Sequence, residues 1–243
     1  MTTERAYPIG TPGQPWGAEE RALWRAGRLR RRSYEADVLS VLKRLEDRFL
    51  LRTYGRVDCG PDGVFPLMAL FSQPVNPHLP TMLITGGVHG YETSGVHGAL
   101  AFADQHADDG RANLVIAPCV SPWAYERIER WNAQAVDPNR SFREGASSAP
   151  ESAALMEFLR SVGPIAMHID LHETTDTDES EFRPALAARD GKPFEPDTVP
   201  DGFYLVDDTV NPQPAFSAAI LEAVAKVTPD ASPQIFPSIS ANS

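Results

Sequence analysis

The sequence predicts an α/β domain whose sheet is covered by helices on both faces. Short apolar runs alternate with stretches of helical periodicity, and two of those runs end in clusters of histidine and acid. Hydrophobic residues make up 42% of the 243 residues, enough to bury a substantial core in one domain. After an opening rich in proline and glycine, Ser33-Tyr34-Glu35-Ala36 marks a helix start. Leu39, Leu42 and Leu45 then recur at helical spacing, carrying the helix through Leu50. Four strand-like runs follow, VFPLMALF, TMLITGG, ANLVIAP and IAMHIDL, with helix-like stretches at 92–106, 150–162 and 214–227. The stretch 176–201 is rich in charge and proline and reads as a long surface excursion, acidic at its start. There is no internal repeat and no linker, so 1–243 is expected to be a single domain, with 1–50 as an N-terminal extension.

Composition excludes several classes. No apolar run approaches the ~18 residues of a membrane helix. The N-terminus MTTERAYPIG lacks a basic segment followed by an apolar one, so a cytoplasmic location is expected. Cys59 and Cys119 are expected to be reduced thiols. A net charge of -11 argues against nucleic acid as a partner. The six arginines between 21 and 32 are the local exception, and read as a solvated helix face or a surface for an acidic partner.

The chemistry gathers in three places. In ITGGVHGYETSG an apolar strand runs into glycines and then into His89 and Glu92. Spacing of three puts both side chains on one side of a turn or first helical turn. Imidazole nitrogen and carboxylate oxygen are both zinc ligands, and ligands of open α/β sheets bind beyond the carboxyl ends of strands. A second run, Ala166 to Glu173, alternates so that His168, Asp170 and His172 share a face. His172 ends the apolar stretch. His168, deeper in the strand, reads as a satisfied core histidine. Two histidines and a glutamate form a ligand set of catalytic zinc sites, leaving a fourth position for water. The third place, 121–142, carries Arg130, Asp137, Asn139 and Arg140.

Taken together, residues 80–175 resemble the zinc carboxypeptidase superfamily, which includes the succinylglutamate desuccinylases and aspartoacylases. The resemblance rests on His89 and Glu92, on Val136-Asp137-Pro138-Asn139-Arg140, and on Asp170-Leu171-His172. It implies one Zn2+ per chain held by His89, Glu92 and His172. It further implies that Asn139 and Arg140 hold a substrate carboxylate, and that Arg130 is the catalytic arginine at the oxyanion, with Arg127 as a rival. Asp137 resembles the residue that orients a ligand histidine, and Asp137 or Asp170 could accept the far N–H of a ligand imidazole. The implied fold is a mixed, mostly parallel, eight-stranded sheet between helices. The implied activity is hydrolysis of an amide bond next to a free carboxylate, first as a metallocarboxypeptidase acting on peptides, alternatively as an N-acyl amino acid deacylase. A zinc-binding but catalytically silent protein is the third reading. One glutamate leaves the metal site net positive, and Arg130 and Arg140 add to a field that favours an anionic substrate.

The superfamily's general base is a glutamate near the end of a late strand. After His172 the candidates are poor. Glu173 should point to the opposite face, and Asp176, Asp178, Glu179 and Glu181 read as solvated. The C-terminal part of the domain, with its base, is therefore expected to be absent from this sequence. An exposed sheet edge then favours association, for instance as a homo-oligomer.

Overall fold

In the computed structural model the described residues are 6–107, 109–196, 202–228 and 234–237. They fall into two compact units, Met1–Glu195 and Pro196–Ser243. In the first, the strands are β1 (Phe49–Asp58), β2 (Val64–Ser72), β3 (Thr81–Gly86), β4 (Asn113–Ala117) and β5 (Met167–Leu171). They form one mixed sheet in the order β1-β2-β4-β3-β5. β1 and β2 pair antiparallel, as do β2 and β4, whereas β3 pairs parallel with β4 and β5. The second unit holds a parallel pair, β6 (Tyr204–Asp207) and β7 (Gln234–Pro237), and helix α7 (Pro214–Ala225), which packs on β6. The mixed sheet agrees with expectation, but the described residues form five strands and a separate pair, not a single eight-stranded sheet.

The parallel strands show why both faces are covered. Successive side chains alternate. Ile84, Leu114 and Ile116 enter one core with Val96, Ala99 and Leu100 of α3 (Thr93–His106). Leu83, Val115 and Ala117 enter the other with Leu155 and Phe158 of α5 (Pro150–Val162). A strand buried on both faces reads as an unbroken apolar run, which is what TMLITGG and ANLVIAP display.

Three elements differ from expectation. The helix after Ser33 is a π-helical turn, Glu35–Leu39, continued by α2 (Ser40–Arg44), and it stops well short of Leu50. Phe49 begins β1, whose leucines pair with β2 and do not extend the helical stripe. The stretch after Asp176 is not all surface. A π-helical turn at Asp178–Phe182 leads into α6 (Arg183–Asp190), and Asp178, Phe182, Pro184 and Ala185 are buried. His168 hydrogen-bonds Thr85 Oγ1 at 2.8 Å as a satisfied histidine would, but it is exposed because β5 is an edge of the five-stranded sheet.

The arginine run is neither a bare solvated face nor shown to await a partner. Beginning within α1 (Ala18–Ala26) and continuing past it, the run braces the segment that follows β4. Arg21 Nη1 donates to the carbonyls of Gln134 and Ala135 at 3.0 and 3.1 Å, and Arg30 pairs with Glu126 at 2.8 Å. Arg28 lies between Glu129 at 2.9 Å and Glu181 at 3.1 Å. Cys59 and Cys119 are free and buried, as expected of reduced thiols.

Glu129 gives this brace a pH dependence. Burial, opposed by Arg28 and helped by Glu181, raises its carboxyl to about 7. An acid whose folded pKa is raised favours folding while protonated, and that contribution is lost as pH climbs from its unfolded value, about 4.5, through 7. One proton corresponds to a slope of up to about 1.4 kcal/mol per pH unit. Glu129→Gln should flatten the fall in stability between pH 5 and 7 in denaturant titrations. Equal slopes in the two proteins would contradict this placement of the carboxyl.

Candidate metal centre

β3, β4 and β5 end side by side, with Thr85 opposite Ala117 and Gly86 opposite Leu171. Each proposed ligand segment leaves from one of these carboxyl ends. The glycines of the first segment have different tasks. Gly87 adopts φ +59°, a left-handed conformation that a side chain would strain. Gly90 passes so close to Ala124 that an added Cβ would lie 2.0 Å from its carbonyl carbon, and one at Gly95 would lie 2.4 Å from Leu171 O. The glycines thus let the turn carrying His89 and Glu92 press against its neighbours, and only Gly87 is needed for a special backbone angle.

The donor atoms converge. Glu92, at the N-terminal boundary of α3, is buried, and its Oε1 lies 2.7 Å from His89 Nδ1 and 3.0 Å from His172 Nδ1. Its Oε2 is also 3.0 Å from His172 Nδ1. One ligand atom from each of the three residues lies within 4.8 Å of the others. The outward nitrogens are both faced by carboxylates. Asp137 Oδ1 is 3.0 Å from His89 Nε2, and Asp170 Oδ2 is 2.7 Å from His172 Nε2. Asp170 is itself fixed by Thr85 Oγ1, which donates to Oδ1 at 2.6 Å. A carboxylate accepting the far N–H sets the tautomer that leaves Nδ1 a lone pair, as a metal ligand requires. The residues therefore fit a divalent zinc-type ion on chemical grounds: two inward imidazole nitrogens, one carboxylate, and an oriented partner behind each ring.

The protonation preferences follow this arrangement. Burial opposes ionisation of Glu92, but hydrogen bonds from His172 and His89 outweigh it and hold the carboxyl below its ordinary value. Asp137 is held well below its usual range despite burial, by the His89 hydrogen bond and by the charges of His89, Arg130 and Arg140. Burial lowers His172, yet the bonds to Asp170 and Glu92 prevail and raise it to about 10, so Nδ1 holds a proton that a bound ion would displace.

The two rival arginines separate clearly. Arg127 is buried 3.0 Å from Asp62 with its guanidinium over Trp123, and so belongs to the packing of α4 (Pro122–Arg127). Arg130 reaches the centre. Its Nε donates to Asp137 Oδ2 at 3.1 Å and its Nη1 to Asp178 Oδ1 at 3.2 Å. Asn139 and Arg140 lie in a single 3-10 turn, Pro138–Arg140, capped by Asp137, whose Oδ1 accepts from Asn139 N at 2.9 Å. Asn139 is half-buried and Arg140 exposed.

Asp178, expected to be solvated, is buried beside the site. It accepts from Arg130, from Tyr91 Oη at 2.9 and 3.0 Å, and from Thr175 N at 3.0 Å. This also corrects the expected charge balance: Arg130 faces two carboxylates, so it adds little positive field, and Arg140 is the arginine left facing solvent. Apart from the local bond from Thr175 N, the partners of Asp178 lie far away in the chain, so no spacing announces its place at the site. Glu173 does not point at the ligands. Its Oε2 accepts from Ser94 N at 3.0 Å and Ser94 Oγ at 2.9 Å, satisfying the open N-terminus of α3.

Residues 78–191 match the family model of the succinylglutamate desuccinylase/aspartoacylase catalytic domain. No curated protein matches the chain. Among solved structures, a candidate metallopeptidase of Shewanella amazonensis SB2B is similar at 22% identity and TM-score 0.59, covering 82% of this chain and 73% of that one. A candidate metallopeptidase of Shewanella denitrificans OS217 is similar at 22% identity and TM-score 0.56, covering 78% of this chain and 65% of that one. The metallo-carboxypeptidase of Burkholderia cenocepacia is similar at 17% identity and TM-score 0.56, with 93% of this chain and 54% of that one covered. The chain thus spans about two thirds or less of the last two proteins. At these identities the likeness concerns the fold, and the family-model match covers the three motif segments. The similarity to the desuccinylase/aspartoacylase catalytic domain thus lies in 78–191, just under half of the chain, and contains all three motif segments.

Proposed function

We propose that the protein is a zinc-dependent hydrolase that cleaves an amide bond next to a free carboxylate. The observation that carries this reading is the convergence of His89 Nδ1, Glu92 and His172 Nδ1 with a carboxylate behind each imidazole. When bound, zinc would supply a water acidified from about 15.7 to about 7 and would polarise the scissile carbonyl. The chain's own residues do the rest. Asp137 and Asp170 hold the ligand rings in one tautomer. Arg140 and Asn139 offer donors to the substrate carboxylate, and a guanidinium can grip it through two parallel bonds. Arg130 has Nε and Nη1 committed, which leaves Nη2 for the developing oxyanion.

Two substrate classes follow, each with its own support. The desuccinylase/aspartoacylase match over 78–191 favours a small N-acyl amino acid. A peptide is the alternative substrate, and the metallo-carboxypeptidase of Burkholderia cenocepacia, similar in fold, supports it. Turnover of N-acyl amino acids and of peptides, each with and without chelator, tests both. Chelator-sensitive hydrolysis of either class supports the proposal, and the class cleaved identifies the substrate. No chelator-sensitive hydrolysis of either class would leave the third reading, a silent zinc-binding protein.

Glu173 provides a further check. Because its carboxylate is bonded to Ser94, Glu173→Gln should keep zinc-dependent turnover within a few-fold. General acid–base catalysis contributes about 10²- to 10⁴-fold, so a loss of that size would make Glu173 the base.

A further inference from the structure

A continuous chain of polar contacts runs from the segment after His172 back to His89. Thr175 N donates to Asp178 Oδ2, and Asp178 Oδ1 accepts from Arg130 Nη1 at 3.2 Å. Arg130 Nε donates to Asp137 Oδ2 at 3.1 Å, and Asp137 Oδ1 faces His89 Nε2 at 3.0 Å. The side chains are largely enclosed: Asp178 and Asp137 are each 10% exposed, Arg130 20% and His89 2%. Three separate segments meet here, one beyond each of the strands β3, β4 and β5.

Enclosure makes this chain consequential. A guanidinium taken out of water needs compensating charge, and Arg130 has it on both sides. Its fork holds each carboxylate from one edge, so Asp137 can neither rotate nor withdraw without giving up a charged hydrogen bond. Asp137 in turn has one oxygen left to face His89. With asparagine in place of Asp178, Arg130 has a single carboxylate to follow, and its pull on Asp137 is no longer balanced.

We propose that Asp178 is a positioning residue of the metal centre, acting through Arg130 to fix Asp137 against His89 Nε2. This rests on the reading of His89 as a metal ligand. Asp178 itself need touch neither metal nor substrate. The segment after His172 thereby influences the ligand at the other end of the site.

The test is zinc affinity, measured by competition with a chromophoric chelator, in a double-mutant cycle. Partners that orient metal ligands typically contribute 10- to 100-fold to affinity, so Asp137→Asn should fall in that range. Asp178 acts one step further out, and Asp178→Asn is expected to weaken zinc about three- to tenfold. Because it acts through Asp137, the same change in the Asp137→Asn background should cost less than twofold. A general loss of structure would instead lower affinity in both backgrounds alike. Arg130→Lys, which lacks the planar fork that presents Nε and Nη1 to the two carboxylates, should show the same pattern and decides the matter if Asp178→Asn does not fold. Wild-type zinc affinity in Asp178→Asn, or an equal loss in both backgrounds, would overturn the proposal. Failure of the wild-type protein to bind zinc would instead overturn the metal centre itself.

Discussion

Replacing His172 by alanine is expected to strip the protein of zinc, and replacing His89 to do the same. Each contributes an inward Nδ1 to a group held together by Glu92. A tightly bound zinc is held by about 10–16 kcal/mol shared among four ligands, so one ligand represents roughly 3 kcal/mol. That is about 10²-fold in affinity. After gel filtration, elemental analysis should find near one zinc per wild-type chain and little in either variant. Undiminished zinc in both would sink the ligand assignment. The neighbours give a control: His168 is tied to Thr85 outside the convergent group, so His168→Ala should retain its metal.

Blocking the substrate's free carboxylate as an amide is expected to lower turnover at least tenfold. Arg140 is exposed one turn beyond Asp137, and it faces solvent while Arg130 is held between carboxylates. A charge-assisted hydrogen bond contributes roughly 1.5–3 kcal/mol, about 10- to 150-fold in affinity or rate. Arg140→Ala should cost a similar factor on the free acid and almost nothing on the amidated substrate. Arg140→Lys should recover only part of it, since an ammonium cannot form two parallel bonds. Equal turnover of free and amidated substrates would exclude this role for the Asn139–Arg140 turn.

Much of the candidate site was legible because its information is local. A strand's carboxyl end is marked where an apolar run stops: at Gly86-Gly87 before His89 and Glu92, and at Leu171 directly before His172. The capped turn Asp137 to Arg140 is likewise contained in consecutive residues. The core strands β3 and β4 were legible for the same reason, since burial on both faces leaves no polar alternation to confuse them. What escaped depends on distant contacts. Asp178 is buried where Tyr91 and Arg130, distant in the chain, come to it. The choice between Arg127 and Arg130 turns on Asp62 and Trp123, which hold Arg127 elsewhere. The arginine run looked like a surface in isolation, yet Gln134, Ala135, Glu126 and Glu129 take up its donors. β1 was hidden by leucines that continue the spacing of the helix before it, although Phe49 already pairs with Ser72.

The most direct test of the metal centre is a crystal of the zinc-loaded protein, with diffraction recorded on both sides of the zinc absorption edge. A single anomalous peak is expected, about 2.0–2.1 Å from Nδ1 of both His89 and His172 and about 2.0–2.2 Å from the Glu92 carboxylate. Asp137 and Asp170 should remain behind the outward nitrogens. A peak elsewhere in the molecule, coordination through Nε2, or no peak at this group at saturating zinc would contradict the assignment.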